Sequence, residues 1–584
     1  MDSTVVQAAL DAVNYSHVDS LVEISGENAI TLNNANLYAD DAIDIQAKDA
    51  STAENHTVDA GLQGFGGGYL LNEIKDTSNT GVNVSGSNLS VSETNESAKM
   101  QIVTGTGSIN IDAERNNYQN SRITIGGLKG VTGQGAYSKT QQGEDYTNAP
   151  TKGISYVNLA GNNTLLAEEV NLSSENQSSL RAVSTFAGVD LVDYFGGNYT
   201  YGNAFGASKV DVANSNSIYT DELNVDAIID GYYDEAKQEF KKSIESHAQR
   251  VNAIAGLDVA LTNAKAKTKQ TAATNFNADK VYGKELTGFK GDNHIEYIEQ
   301  VNTDVYLNAD NYADILAKTN SVTGIGVIAF GANKSVTEDK NKTLINIGDP
   351  EATTQGILEL NSLDVAASNK VTSMDDSYGL VAVDGVSIKP YGAHTVNNSQ
   401  SEVTVNVNND IRTVEDMDIA AQDYNVIDFS AVSTKGFSAV DLGGNGKFEN
   451  TVNNAAKVNI RNSNLISGGE MNIDADTAVD LGKDKDSYFA STSGVNIVGI
   501  GKDTLTNTIT QTSQVNIINS NLVSNDELNI TAYSDDYIHI MGRNDTAFAA
   551  FGVGVIQLTN TITTNNSVTV DASSKIRGKD NEED

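Results

Sequence analysis

The stretch that decides the fold is KVNIRNSNLISGGEMNIDA, residues 457–475. Apolar residues alternate with polar ones up to an Asn-Ser-Asn corner, and a second alternating run follows a Gly-Gly turn and ends on Ala475. Such alternation is typical of strands with one buried face. Close copies occur at 514–532 and 209–227, and a looser one at 29–47. Internal repetition therefore decides the architecture.

The small residue that closes this stretch recurs along the chain, at Ala47, Ala113, Ser174, Ala227, Ala309, Ala367, Ala421, Ala475 and Ala532. The intervals are 66, 61, 53, 82, 58, 54, 54 and 57 residues, a period of about 57 with one outlier. Each period contains three alternating stretches, so we predict coils of about 19 residues in three-coil units of about 57. Strands repeated in this way, without helices between them, bury their apolar faces by stacking coil on coil.

The sequence thus predicts an all-β protein with a single long parallel β-helix. About 29 coils spaced by roughly 4.8 Å would give a rod about 140 Å long. Gly-punctuated apolar runs, such as 61–68, are expected to form a tight side of each unit. The polar segment 133–152 is expected to protrude as a loop.

The outlying interval predicts an insertion. From Tyr233 to Ile254 the apolar residues follow a 3.6-residue rhythm, Asp230 is a candidate N-cap and Gly256 a candidate stop. The predicted organisation is therefore β-helix coils at 1–227, a short helical insertion at 228–258, further coils at 259–578 and a disordered acidic tail at 579–584.

A basic neighbourhood accompanies the predicted helix. Ten Lys or Arg lie between residues 237 and 290 against five acids, in a chain of net charge −39. One interpretation is a patch that meets an acidic partner such as an anionic glycan or a lipid headgroup, and the other is the ordinary charged face of a surface helix. The candidate patch consists of Lys237, Lys241, Lys242, Arg250, Lys265, Lys267 and Lys269.

Composition excludes several classes of function. The net charge of −39 argues against nucleic acid as a partner. The chain has no Cys, which excludes disulfides and thiolate metal sites. No apolar run is long enough to span a membrane, and no N-terminal signal is recognisable.

The repeated V-x-I-x-N-S-N-L-x-S-x-x-E-L-N-I-x-A unit resembles the passenger region of bacterial filamentous adhesins, of the leukotoxin-like and filamentous-haemagglutinin-like kind. The resemblance implies a right-handed β-helix and a non-enzymatic virulence protein, secreted or at the cell surface, that binds host cells, other bacteria or matrix. It also implies type V secretion, with export through an outer-membrane β-barrel transporter. Since the signal and secretion domains of the family are missing, we expect this chain to be an internal segment.

Three alternatives remain open. β-helices also form polysaccharide lyases and hydrolases, which need clustered carboxylates. The acidic pairs here, Asp40–Asp41, Asp375–Asp376 and Asp535–Asp536, are predicted to lie in turns, and no catalytic residue is predicted. A purely structural stalk is the second alternative. The third is a structural Ca²⁺ in Asp-rich turns; otherwise no cofactor or metal site is predicted, since EF-hand spacing is absent.

Overall fold

The computed structural model describes residues 2–94, 100–231, 233–234, 239–240, 242–278, 280–283, 285–289, 303–349, 357–482 and 487–578. Every regular element in these ranges is a β-strand, so the prediction of an all-β protein is confirmed. The strands form sheets of 18, seven, five and two strands. The predicted acidic tail lies outside the described residues.

The 32 strands are numbered in chain order: β1 (Asp2–Ile24), β2 (Glu27–Asn33), β3 (Asn36–Ala39), β4 (Ala42–Asp76), β5 (Asn79–Ser85), β6 (Asn88–Thr94), β7 (Met100–Gly105), β8 (Ser108–Gln142), β9 (Ile154–Leu159), β10 (Thr164–Leu166), β11 (Glu169–Val212), β12 (Ser217–Tyr219), β13 (Glu222–Gly231), β14 (Tyr233–Asp234), β15 (Glu239–Phe240), β16 (Ile244–Phe276), β17 (Lys280–Tyr282), β18 (Glu285–Phe289), β19 (Asp304–Asp339), β20 (Lys342–Ile347), β21 (Ile357–Leu360), β22 (Ser362–Ser399), β23 (Glu402–Val407), β24 (Asp410–Thr413), β25 (Met417–Arg461), β26 (Asn464–Ser467), β27 (Met471–Leu481), β28 (Ser487–Ile518), β29 (Asn521–Ser524), β30 (Leu528–Ile538), β31 (Ile540–Val570) and β32 (Lys575–Arg577).

Parallel pairing follows the sequence repeat. The nine closing residues form eight successive register pairs, from Ala47 with Ala113 to Ala475 with Ala532. The repeat identified in the sequence therefore fixes which residues are neighbours across the sheets.

The first part of each repeat, which we call the core segment, encloses the main apolar interior. In the repeat that starts at Ala455 it comprises residues 455–475, which include the end of β25, all of β26 and the start of β27. Val458, Leu465 and Ile473, one from each strand, are fully buried and belong to one cluster that continues through the other repeats. Alternation places these three side chains inward because successive strand residues face opposite sides.

The rest of each repeat, which we call the arm, extends away from the core segment, reverses direction and returns to it. In the same repeat the arm comprises residues 476–513. In β8 the two limbs face each other, with Ser121 Oγ 2.8 Å from Ser138 Oγ and Gln119 Nε2 donating to the carbonyl oxygen of Gln141 over 3.1 Å. The reversal lies in the Gly-rich part of the strand, where a Cβ on Gly127 would lie 2.1 Å from the Gly61 carbonyl oxygen. The Gly-punctuated runs are therefore arm tips.

The predicted 19-residue coil is wrong. Among the described strands, parallel partners lie a whole repeat apart and never 19 residues apart, as in Val458 with Val405 and Val515. The three alternating stretches of each period are successive parts of one repeat, because a segment forms its hydrogen bonds with its own counterpart in the next copy. Ten stacked arm strands give a height of about 45 Å instead of 140 Å, and a limb of about 17 residues extends about 55 Å.

The predicted helical insertion at 228–258 is also wrong. β13 continues to Gly231, β16 begins at Ile244, and β14 and β15 form a short antiparallel hairpin between them. The inward residues of β16 are Ile244, Ser246, Ala248 and Arg250, which is the alternation of a strand. Backbone hydrogen bonds to β11 on one side and β19 on the other outweigh the local helical rhythm.

The repeat between Ala227 and Ala309 is longer than the others. Its extra residues lie in two places, the β14–β15 hairpin and the stretch between β17 and β19. In the second place, β18 pairs antiparallel with β7, which itself pairs antiparallel with β6. The extra length therefore consists of two separate insertions into the repeat, and neither described part of them is a helix.

Asparagine ladders connect the outer faces of neighbouring repeats. In the longest, each Nδ2 donates to the side-chain oxygen of the preceding repeat over 2.5–3.0 Å, through Asp211, Asn275, Asn346, Asn406, Asn459 and Asn516. Shorter ladders begin in the same way at Asp44 and Asp418. A carboxylate is a strong terminal acceptor for a chain of amide donors.

The corners are stacked as well. The backbone N–H of Ser463 donates to Ser520 Oγ over 3.2 Å, and that of Ser520 to Ser574 Oγ over 3.0 Å. Asn462 and Asn519 adopt positive φ of 50° and 49°, a conformation that Asn tolerates better than most residues. Asn and Ser at the corners therefore form hydrogen-bonded ladders between neighbouring repeats.

Candidate binding surface

The predicted basic patch is not a cluster of unpaired cations among its described members. Lys242 Nζ lies 2.9 Å from Asp314 Oδ1, and Lys265 Nζ lies 2.7 Å from Glu338 Oε2. Arg250 is 2% exposed, with its guanidinium carbon 4.9 Å from the Phe186 ring centroid. Lys237 lies outside the described residues, as does Lys241. Any role of the patch in binding stays a prediction.

Lys267 and Lys269 meet an acid from a distant part of the sequence. Their Nζ atoms lie 3.2 and 2.9 Å from the two carboxylate oxygens of Asp145. Burial opposes ionisation of Asp145, but the hydrogen bonds from Lys269 and Lys267 hold its pKa below the ordinary value. These two lysines therefore anchor a surface segment.

That surface segment, residues 143–153, joins β8 to β9 and lies across neighbouring repeats. Glu144 pairs with Lys75 over 2.9 Å, and Tyr146 Oη lies 3.0 Å from Thr271 Oγ1. Gly143 and Gly153 bound the segment with positive φ of 65° and 70°. The prediction of a protruding loop at 133–152 is wrong in two respects. Residues up to 142 belong to β8, and the remaining residues lie on the protein surface, held there by the ion pairs of Glu144 and Asp145.

A cleft of about 490 Å³ lies between this segment and the outer face of the strands. Asn148, Ala149 and Pro150 form one wall, and Ala273 and Leu344 form an apolar floor. Ala273 is only 4% exposed, and its small side chain leaves room for the recess. The remaining lining residues are Lys209, Asp211, Thr271, Asn275, Lys342, Thr343, Glu402 and Thr404.

The chemistry of the cleft combines an apolar floor with convergent hydrogen-bonding groups. Ammonium, amide and hydroxyl donors from Lys209, Asn148 and Thr404 stand beside carboxylate acceptors from Asp211 and Glu402. Glu402 is itself held by Lys457 over 2.9 Å. Ligands that carry many hydroxyl groups on a compact frame, such as saccharides, suit this mixture.

Carboxyl groups with raised pKa lie in the interior. Burial and the neighbouring Asp423 raise the pKa of Asp339 to about 7, and burial raises that of Asp423 to about 6. Asp339 Oδ2 accepts from Ser399 Oγ over 3.1 Å, and Asp423 Oδ2 accepts from Ser401 Oγ over 2.8 Å. Both are fully enclosed where the arm joins the core segment, so they are part of a buried polar column.

The prediction that all three acidic pairs lie in turns is wrong for two of them. Asp40 and Asp41 lie between β3 and β4, but Asp375–Asp376 is inside β22 and Asp535–Asp536 is inside β30. Burial raises the pKa of Asp375 well above its ordinary value, although Thr337 Oγ1 donates to it over 2.6 Å. Alternation explains the difference, since it turns Asp375 inward and Asp376 outward to Lys318.

Among the described residues, no group of three or more His, Asp or Glu side chains is arranged to hold a metal ion. The described part of the chain also contains no helix long and apolar enough to cross a membrane.

Sequence reasoning missed the cleft and the enclosed carboxylates. The interruption of alternation between Gly143 and Gly153 marks the surface segment, but the contact of Asp145 with lysines more than 120 residues away carries no local signal. Comparison with protein-family models, characterised proteins and solved structures finds no match to this chain.

Proposed function

We propose that this chain is a non-enzymatic adhesin segment, secreted or held at a bacterial surface, whose stacked repeats wind as a right-handed β-helix. The observation that carries the proposal is the unbroken register of the nine closing residues. A frame of this kind grows by repetition and presents outer faces to partners. The resemblance of its repeat to filamentous adhesins agrees with that use.

Binding is assigned to the cleft beside residues 143–153. Ion pairs from Glu144 and Asp145 fix this wall against different repeats, so the cleft is preorganised. The proposed partner is a cell-surface saccharide, whose hydroxyl groups the polar rim would bind while a sugar face lies on Ala273 and Leu344. The proposal does not depend on the basic patch.

The test compares two variants of the whole chain, in each of which one alanine is replaced by glutamine. Ala273→Gln places a larger side chain in the floor of the cleft, and Ala420→Gln places the same side chain on an outward position of β25 away from it. Labelled protein is titrated onto cultured epithelial cells, with and without soluble oligosaccharides as competitors. We expect saturable binding that weakens at least tenfold in Ala273→Gln and is unchanged in Ala420→Gln.

Equal binding by both variants would contradict the cleft as the site. No saturable binding to host cells, bacteria or matrix would favour the structural stalk. Release of new reducing or unsaturated ends from acidic polysaccharides would favour the enzyme.

A further inference from the structure

A lysine, a glutamine and an aspartate are enclosed together near the tip of an N-terminal arm. Lys129 and Gln134 lie on either side of the reversal in β8, and Asp59 comes from the neighbouring strand β4. Lys129 is 2% exposed, Gln134 5% and Asp59 0%. Burying an ammonium and a carboxylate is costly, so their presence in an arm tip requires an explanation.

The three side chains touch in a closed arrangement. Lys129 Nζ lies 2.5 Å from Gln134 Oε1 and 3.9 Å from Asp59 Oδ2. Gln134 Nε2 donates to the same Asp59 oxygen over 2.8 Å, and Ser16 Oγ donates to it over 3.2 Å. An amine and an amide are thus in contact, with a carboxyl group beside the nitrogen that would leave.

The surroundings are dense and leave polar atoms without partners. Asp59 Oδ1 and both amide atoms of Gln63 are buried and accept or donate no hydrogen bond. A Cβ on Gly66 would lie 2.2 Å from Gln63 Oε1 and 3.6 Å from Lys129 Cδ, so the glycine leaves room for the Gln63 side chain beside the cluster.

We propose that Lys129 and Gln134 form an intramolecular isopeptide bond, with Asp59 as the proton carrier. The ammonium of Lys129 gives a proton to Asp59, and the neutral Nζ attacks Gln134 Cδ. The Nζ–Cδ bond forms, the Cδ–Nε2 bond breaks, and Asp59 returns the proton to the departing nitrogen. The second proton lost by Nζ goes to the same nitrogen, which leaves as an ammonium ion. Asp59 ends as a carboxylate, the neutral mass of the chain falls by that of one ammonia, and no oxidant or other reactant is needed.

Gln134 is the acceptor rather than Asp59 for two reasons. Its carbonyl oxygen, which is bonded directly to Cδ, lies 2.5 Å from Nζ, whereas the Asp59 oxygen is 3.9 Å away; proximity therefore favours the amide. Attack on Asp59 would also have to expel water, and the acid that would assist its departure would be the reacting group itself.

The experiment is the intact mass of the purified full-length chain, followed by peptide mapping. We expect a mass lower by one ammonia and a cross-linked peptide that joins residues 129 and 134. Hydroxylamine treatment separates this bond from a succinimide at an asparagine, because it cleaves the succinimide and leaves the isopeptide intact.

Variants assign the roles. Lys129→Arg and Asp59→Asn should both show the full mass, with circular dichroism confirming that each has folded. Lys139→Arg, at a partly buried ion pair with Glu73 that is separate from this cluster, should keep the cross-link. Asp190→Asn should also keep it, although Asp190 is the register partner of Lys129 on β11, since the proton route runs through Asp59.

The proposal is overturned if folded wild-type protein has the full mass, which would leave an ordinary buried ion pair. It is equally overturned if the lost mass is that of water, if the loss maps to another position, or if folded Asp59→Asn cross-links at the wild-type rate.

Discussion

The core segment and the arm of each repeat solve the same stacking problem with different interiors. The core segment is filled by aliphatic side chains such as Leu465 and Ile473, and its register continues without interruption in the described repeats around them. The arm interior is mixed. It holds apolar clusters, such as the one that contains Phe429 and Leu505, and also Asn55, Thr57 and Asn72, which are fully buried and hydrogen-bonded to each other or to backbone. Its ladders contain register shifts near the tips, as between Asp193 and Gly197.

This difference shows that hydrophobic burial and hydrogen-bonded ladders have separate roles in the molecule. Apolar burial in the core segment supplies non-directional stabilisation, while each polar arm residue depends on a specific partner. The arm can therefore hold ionisable groups, such as Asp59 and Lys129, that an aliphatic core would exclude.

The largest contrast is expected for a new charge in each region. Ile473→Asp leaves an unpaired carboxylate in the apolar core, so the free energy of unfolding should fall by about 4 kcal/mol or more. Asn507→Asp introduces the same charge in the arm, where Asn450 Nδ2 already donates to the side chain over 2.6 Å, and should cost about 1 kcal/mol. Urea unfolding followed by circular dichroism measures the unfolding free energy of both variants. Equal losses of free energy would contradict the distinction between core segment and arm.

A cavity in the core segment should have the next largest effect. Leu465→Ala removes a fully buried side chain of β26 and should lower the unfolding free energy by about 3 kcal/mol. Ile466→Ala, on the adjacent outward position, removes a similar side chain and should cost less than about 1 kcal/mol. A larger loss for Ile466→Ala would place the interior on the other face of the strand.

A pH effect should appear at the junction of arm and core. The pKa of Asp339 rises from 3.8 to about 7 on folding, so the folded state binds the proton more tightly. Its stabilising contribution is complete below about pH 4 and is lost as the pH rises to 7. Relative to Asp339→Asn, the wild type should lose on the order of 2 kcal/mol between pH 5 and pH 7.

Chemical denaturation at several pH values between 5 and 8 measures that loss. Exposed Asp40→Asn is the control and should follow the wild type at every pH. If Asp339→Asn also followed the wild type, the carboxyl would not be held neutral in the fold.

The smallest effect is expected at the corner. Asn462 has φ of 50°, and its Oδ1 accepts from Asn519 Nδ2 over 2.9 Å at an exposed position. Asn462→Ala should lower the free energy of unfolding by about 1 kcal/mol. The Cβ of alanine strains the left-handed conformation, and alanine lacks the polar side chain with which Asn forms local hydrogen bonds there. Asn462→Gly should stay within about 0.5 kcal/mol of wild type. Thermal melting distinguishes them, and the reverse order would exclude the left-handed corner.

The sequence predicted the all-β class and the interval at which the closing residue recurs, because these depend on alternation and on repetition. It failed on the coil length, since alternation is the same whether three stretches are three coils or parts of one repeat. It failed at 228–258 because Ile244 and Val251 fit a helical rhythm, although strand alternation places them on opposite faces of β16. Nothing local to Asp145 or Asp59 shows which lysine it meets, so the cleft and the arm-tip cluster required the structure.

The repeat length of the stack is tested most directly by engineered disulfides, since the chain contains no Cys of its own. Asn459 and Asn516 are register partners, and parallel neighbours are separated by about 4.8 Å, within the range of a disulfide. Asn459→Cys with Asn516→Cys should oxidise rapidly to an intramolecular bond in the folded protein. Asn459→Cys with Ala478→Cys, about 19 residues apart, should remain reduced; rapid oxidation of this second pair and not the first would contradict the account.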